Sequence, residues 1–167
     1  MNRIYLVLAL LGAVVGIQVP AMALDMPTGP IILTITGMIS EKNKDDTAVF
    51  DLKSLEAMPA TTVVTATPWT EGDTTFVGVE LKQLMDAVGA NGTAIHAVAL
   101  NDYAVDVPMG DADIPQVIVA YKMNGEPMKV RDKGPLWLIY PLSDHPELQN
   151  QETHGKMIWQ LKLLTIN

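Results

Sequence analysis

Residues 123–141 read MNGEPMKVRDKGPLWLIYP. The segment Val117–Met123 that leads into them is apolar and extended in character. Asn124-Gly125 is a strong hairpin signal, because both residues tolerate the positive φ that a two-residue turn demands. Leu136–Tyr140 then reads as a buried strand, and Pro141 closes it. This order of strand, tight turn and buried strand governs the reading of the rest of the chain.

Upstream, Ile31–Ile39 reads as strand, rich in Ile and Thr. Lys42–Asp46 is a charged turn, and Ala48–Phe50 is extended. Asp51 can cap a short helix, its carboxylate meeting the free amides of the first turn. Leu52 and Leu55 face inward on that helix, and Pro59 stops it. Thr61–Thr67 is β-branched and apolar, a further strand. Leu81, Leu84, Met85 and Val88 make one helical stripe, with Gly89 placed for a left-handed cap. Ala94–Leu100 and Tyr103–Val107 are strands joined by Asn101-Asp102, and Gly110–Ile114 is a short helical turn.

Downstream, a loop runs from Pro141 to Gly155, and a last strand from Lys156 to Ile166. Strands and helices do not alternate regularly, which argues against a doubly wound parallel sheet. The expectation is α+β: a single compact domain with a mixed, mostly antiparallel sheet and two short helices.

The first residues bear on destination. Arg3 is followed by an almost entirely apolar Ile4–Val19, and Ala21-Met22-Ala23 carries small residues where a signal peptidase reads. This is the pattern of a cleavable signal peptide, 1–23, cut after Ala23. The apolar run is shorter than a spanning helix requires and contains Gln18. The domain is then residues 24–167, in a periplasmic or secreted protein with no membrane attachment after cleavage. The chain has no cysteine, so no disulfide framework, thiolate metal site or thiol catalysis is open to it. Its net charge is −8, and losing Arg3 with the leader makes it one unit more negative. No basic run or basic–aromatic patch appears, so nucleic acid and anionic membrane surfaces are poor partners.

Two stretches offer chemistry. The loop from Leu142 to Gly155 holds Asp144, His145, Glu147, Glu152 and His154, donors enough for zinc or a similar ion. Their spacing matches no helical two-histidine site, and a solvated polar loop is the plainer reading. Pro146 forces His145 towards extended backbone, turning it from its neighbours. Ser143-Asp144-His145 is no triad, because adjacent residues of an extended loop point apart. The second stretch is Thr65–Thr70, where hydroxyls and an indole surround Pro68 at a strand end. Trp69 there can wall a pocket or simply pack in the core, and Asn101-Asp102-Tyr103 is a turn that can also edge a pocket.

Taken in order, FVGVELKQL (76–84), NDY (101–103), MNGEPM (123–128), GPLWLIYP (134–141) and WQL (159–161) form a pattern. It resembles the oxidoreductase molybdopterin-binding domain of the sulfite oxidase type, over roughly Val49 to Ile166. That family carries a helix opening on GxxLxxLL, an aspartate-glycine-tyrosine turn, an MNGEPL hairpin, a GPLRLVVP strand and a late tryptophan strand. The resemblance implies the sulfite-oxidase-type fold and a pterin-dithiolene molybdenum centre held by a strand-end cysteine. That position falls near Ala66 here. The family's arginine is Trp137, its later lysine is Ile158, and relatives draw further cofactor contacts from a longer amino-terminal region. The TPW, NDYAV, VRDKGPL and DHPEL stretches resemble a compact, stand-alone exported subgroup.

The expectation is therefore an exported scaffold that has lost molybdenum catalysis. It would serve as a binding, sensor or accessory module for a small molecule or a periplasmic protein partner. Its pocket would lie beside Thr67, Trp69, Asp102, Tyr103, Asp144 and His145. An alternative is a molybdopterin-dependent oxidoreductase that binds its cofactor without a protein thiolate. A third reading is metal-assisted hydrolysis through the Asp144–His154 loop.

Overall fold

The computed structural model describes residues 24–167. The signal-peptide reading of residues 1–23 lies outside the described residues. Among the described residues, ten strands form two sheets and three α-helices are short. The first sheet contains β1 (Leu33–Gly37), β2 (Ala48–Phe50), β5 (Ala94–Ala99), β6 (Ala104–Pro108) and β10 (Leu161–Ile166), ordered β2-β1-β10-β5-β6. The second contains β3 (Thr61–Thr65), β4 (Thr74–Glu80), β7 (Ile118–Met123), β8 (Glu126–Pro127) and β9 (Trp137–Ile139). Its order is β3-β4-β7-β8, with β9 also pairing with β7. All strand pairs are antiparallel except β1 with β10. The mixed, mostly antiparallel α+β architecture read from the sequence is present, though divided into two sheets where one was expected.

The hairpin signal is realised: Asn124 and Gly125 have φ of 51° and 86°, joining β7 to β8. Gly78 explains the glycine of the FVG stretch. Its Cα lies against β7, where a Cβ would collide with the Val119 carbonyl and Ala120 Cα. The register between β4 and β7 shifts beside it, between Val77 and Gly78.

Asp51 caps α1 (Leu52–Glu56). Its carboxylate accepts from the Ser54 amide at 2.7 Å, and the Ser54 hydroxyl in turn accepts from the Asp51 amide at 2.8 Å. The same carboxylate accepts from the amides of Gly29 at 2.7 Å and Thr28 at 3.1 Å, so one cap also fastens the leading segment. α2 (Leu81–Ala87) buries Leu81, Leu84 and Met85, and Gly89 follows at φ 57° as its spacing predicts.

Two expectations fail in the carboxy-terminal quarter. The stretch read as a loop contains a 3-10 turn (Pro146–Leu148) and a third helix, α3 (Gln151–Lys156). Asn150 caps α3, its side chain accepting from the Thr153 amide at 3.0 Å. The last strand begins at Leu161 rather than Lys156. Residues 157–160 instead cross from one sheet to the other. Trp159 bridges Trp137 beside β9, Gln160 turns at φ 52°, and β10 then enters the first sheet. The first strand is likewise shorter than expected, and Ile39 bridges Ala90.

Trp137, Tyr140, Phe76 and Leu33 are among the largest fully buried side chains. Each such side chain contributes on the order of 1.5–3 kcal/mol of transfer free energy. The buried β9 strand carries Trp137 into this core, and its indole N–H donates to the Met157 carbonyl at 3.0 Å. That bond fixes the crossing segment against β9.

Candidate functional site

The strand β3 ends at Thr65, and a tight turn follows. The Thr67 hydroxyl accepts from the Trp69 amide at 3.2 Å, and the Thr70 hydroxyl accepts from the Thr67 amide at 3.1 Å. This turn leans Trp69 over the crossing segment. Its ring centroid lies 5.2 Å from that of Trp159, at 72° between planes, and 6.1 Å from that of Trp137. The imidazole of His154, on α3, meets it edge-on at 6.3 Å. Phe76 of β4 supports Trp137 from 5.4 Å. The chain has three tryptophans, and all of them meet here. Aromatic pairs in tilted contact add about 0.5–1.5 kcal/mol each beyond burial.

Trp69 and Trp159 form one side of a cavity of about 360 Å³, and Tyr103 and Asn101 of the β5–β6 turn form another. His154 and Met157 also line it, with the small Ala99 and Gly155 leaving room. Trp69 and Tyr103 remain 37% and 53% exposed, so the aromatic wall is open to an entering molecule. Among the described residues, His154 supplies the one titratable side chain of the lining besides the Tyr103 phenol, and neither Lys nor Arg contributes. Lys133 stands outside it, its ammonium 4.7 Å from the Trp159 centroid and 5.4 Å from that of Trp137.

The residues singled out from the sequence fall into separate places. Trp69 and Tyr103 line the cavity. Thr67 is buried in the turn that positions Trp69. Asp102 points to Lys162 at 2.7 Å, and that contact holds its carboxyl below the usual aspartate range. Asp144 and His145 stand away from the lining, and His145 Nδ1 lies 2.9 Å from Glu147 Oε1. The expectation that Pro146 turns His145 from its neighbours therefore fails for Glu147, because the 3-10 turn starting at Pro146 folds that carboxylate back. His154 and Trp159 complete the wall. The first was read only as one donor of a polar loop, and the second only as part of a family pattern. Among the described residues, no group of three His, Asp or Glu side chains converges for a metal ion. Among the described residues, Ser143 makes no hydrogen bond to a histidine side chain. Its hydroxyl accepts from the Ala66 amide at 3.0 Å and donates to Asp73 at 3.2 Å, and its amide donates to Thr65 at 3.0 Å.

A second, larger concavity of about 950 Å³ lies between the leading segment Leu24–Thr28, α1 and α2. Asp25, Glu41, Asp86 and Lys53 border it, as does Gln83. Gln83 Oε1 is buried and has no hydrogen-bond partner among the described residues.

The family model for the oxidoreductase molybdopterin-binding domain matches residues 30–143, well over half of the chain. The protein belongs to this family. Its fold is similar to that of the sulfane dehydrogenase SoxCD from Paracoccus pantotrophus, with a TM-score of 0.58 and 19% identity. The likeness covers 80% of this chain and 37% of that one, so the chain spans little more than a third of SoxCD's chain. A search of curated proteins found no match.

The residues present do not fit the molybdenum cofactor of the molybdopterin-binding family. The chain has no cysteine for the metal, and Ala66, near the place implied for it, is an exposed strand-end alanine. The position implied for the family's arginine is Trp137, packed in the core at 0% exposure. The position implied for its lysine is Ile158, also buried. An anionic pterin tail needs cations or converging N–H donors, and among the described residues the aromatic cavity offers no cationic lysine or arginine side chain. What this arrangement can do is hold a small molecule by its rings, with Asn101 and His154 available to orient it.

Proposed function

We propose that this protein is a small exported member of the molybdopterin-binding-domain family that works as a non-catalytic binding module. Its leader, 1–23, is cut after Ala23, and the remaining domain acts as a sensor or accessory component in the periplasm or outside the cell. One observation carries the reading. Trp69 and Trp159, packed against the buried Trp137, line an open cavity in a chain that replaces the family's thiolate and two cations with Ala66, Trp137 and Ile158. A domain selected for binding needs a preformed apolar cavity with a few polar groups, and fold membership alone carries no activity.

The test is metal analysis and pterin fluorescence on protein exported from a molybdenum-competent host. The expected result is no molybdenum and no pterin, and stoichiometric molybdenum overturns the reading. Mass spectrometry of the exported protein is expected to show a chain starting at Leu24. A chain retaining residues 1–23 overturns the export assignment.

A further inference from the structure

We infer that the cavity walled by Trp69, Tyr103 and Trp159 binds an organic cation of the quaternary-ammonium class. This inference rests on the binding-module reading and specifies its ligand. The geometry of the rings is the first argument. A flat aromatic ligand is best held on a parallel ring face. Trp69 and Trp159 instead stand 72° apart, forming a corner, and Tyr103 closes the cavity from the β5–β6 turn. A corner of steeply inclined rings encloses a rounded group better than a flat one. Trp69, Tyr103 and Trp159 together give the lining three aromatic rings, and trimethylammonium groups are recognised by clusters of this kind.

Charge is the second argument. Among the described residues the cavity lining contains no lysine or arginine, so no permanently charged cation faces an entering anion, and His154 is its one imidazole. The whole chain carries −8, which favours cation entry. The third argument is the cluster's own behaviour. Lys133, which is not part of the lining, holds its ammonium 4.7 Å from the Trp159 centroid and 5.4 Å from that of Trp137. The rings of this cluster thus already attract an alkylammonium from outside the cavity. A quaternary ammonium is more easily desolvated than a lysine because it carries no N–H donors, and Asn101, whose Oδ1 accepts from the Tyr103 amide at 3.2 Å, keeps its Nδ2 to donate to a hydroxyl or carboxyl on the ligand's chain.

All three tryptophans lie in the cluster, so intrinsic emission reads the site directly. The purified protein is titrated at physiological salt with tetramethylammonium and choline, and with 3,3-dimethylbutan-1-ol, the uncharged carbon isostere of choline. Calorimetry is run in parallel. Saturable emission changes with choline, at least tenfold tighter than with the isostere, are expected. Tyr103→Ala, at a half-exposed position, is expected to keep the melting temperature and weaken choline binding about fivefold or more. Trp69→Leu is expected to lose binding. Co-sedimentation with phosphatidylcholine vesicles assigns the ligand to a lipid headgroup, and choline binding without co-sedimentation assigns it to a free solute. Equal binding of choline and its isostere overturns the cation assignment, and so does binding of neither. Failure of the binding-module reading is a separate outcome, seen as stoichiometric molybdenum in the exported protein.

Discussion

The Tyr140 hydroxyl donates to Asp111 Oδ2 across 2.6 Å, joining the end of β9 to the 3-10 turn Met109–Asp113. Lys156 Nζ, at the end of α3, reaches the same oxygen at 2.6 Å and lies 5.5 Å from the Tyr140 ring centroid. Three chain segments therefore meet at one largely buried carboxylate. This pins both ends of the Pro141–Gly155 stretch, and with it the helix that brings His154 to the cavity.

Removing the two donors should cost different amounts. Tyr140→Phe leaves Asp111 its ammonium partner and is expected to cost about 1–2 kcal/mol. Lys156→Met leaves a buried carboxylate with a neutral donor only, and about 3 kcal/mol is expected. Urea unfolding of both variants checks the order. Burial first, and then Asp111, pushes the Tyr140 phenol well above its ordinary value. The folded state therefore keeps a proton that the unfolded state loses above about pH 10. Stability should fall as pH rises past that point, and less steeply in Tyr140→Phe.

Asp51 contributes to the acid limb. The amide of Ser54, then that of Gly29, then the Ser54 hydroxyl hold its pKa at about 2 against an ordinary 3.8. A depressed carboxyl contributes stability that is present above the unfolded value and lost as pH falls through the folded one. Melting temperature is therefore expected to drop between about pH 4 and pH 2. Asp51→Asn should be less stable at neutral pH and show a flatter profile in that window. An unchanged profile would sink the assignment.

Gln83 presents the opposite case. Its Oε1 is buried without a partner among the described residues, and a buried acceptor left unpaired is destabilising. Gln83→Met keeps the length and removes the orphan. A gain of about 1 kcal/mol is expected in urea unfolding, and a comparable loss would show that the oxygen is satisfied.

Ala66→Cys restores a thiol near the place that the family resemblance implies for the metal ligand. The thiol alone should not restore the cofactor, because Trp137 and Ile158 are buried apolar residues where the family has cations. Metal analysis of the variant, exported from a molybdenum-competent host, is expected to give no stoichiometric molybdenum. Full occupancy would show that the thiolate was the single missing group.

Much of the fold was legible in short signals. Asn124-Gly125 marked its hairpin, Asp51 its cap and Gly89 its helix end, because each answers a local backbone demand that its neighbours cannot change. Helix α3 was not legible. QETHGK shows no apolar stripe, and only the Asn150 cap marks its start. The final strand was overextended because Ile158 and Trp159 are apolar, whichever sheet they face. Of the pocket residues expected, Trp69 and Tyr103 line the cavity, Thr67, Asp102 and His145 are engaged elsewhere, and Asp144 is not among the lining residues.

Sequence by itself determined the chemistry this chain cannot supply from its own side chains. With no cysteine, it has no thiolate for a metal, and family motifs in their order were enough to indicate the scaffold. Only the tertiary structure decided which residues share a site. Trp69, Trp137 and Trp159 are spread across ninety residues, and nothing local draws them together. They meet because residues 157–160 cross between the two sheets beside β9, bringing Trp159 against Trp137 while the Thr67–Thr70 turn leans Trp69 onto both. Long-range packing, not spacing along the chain, makes the cavity.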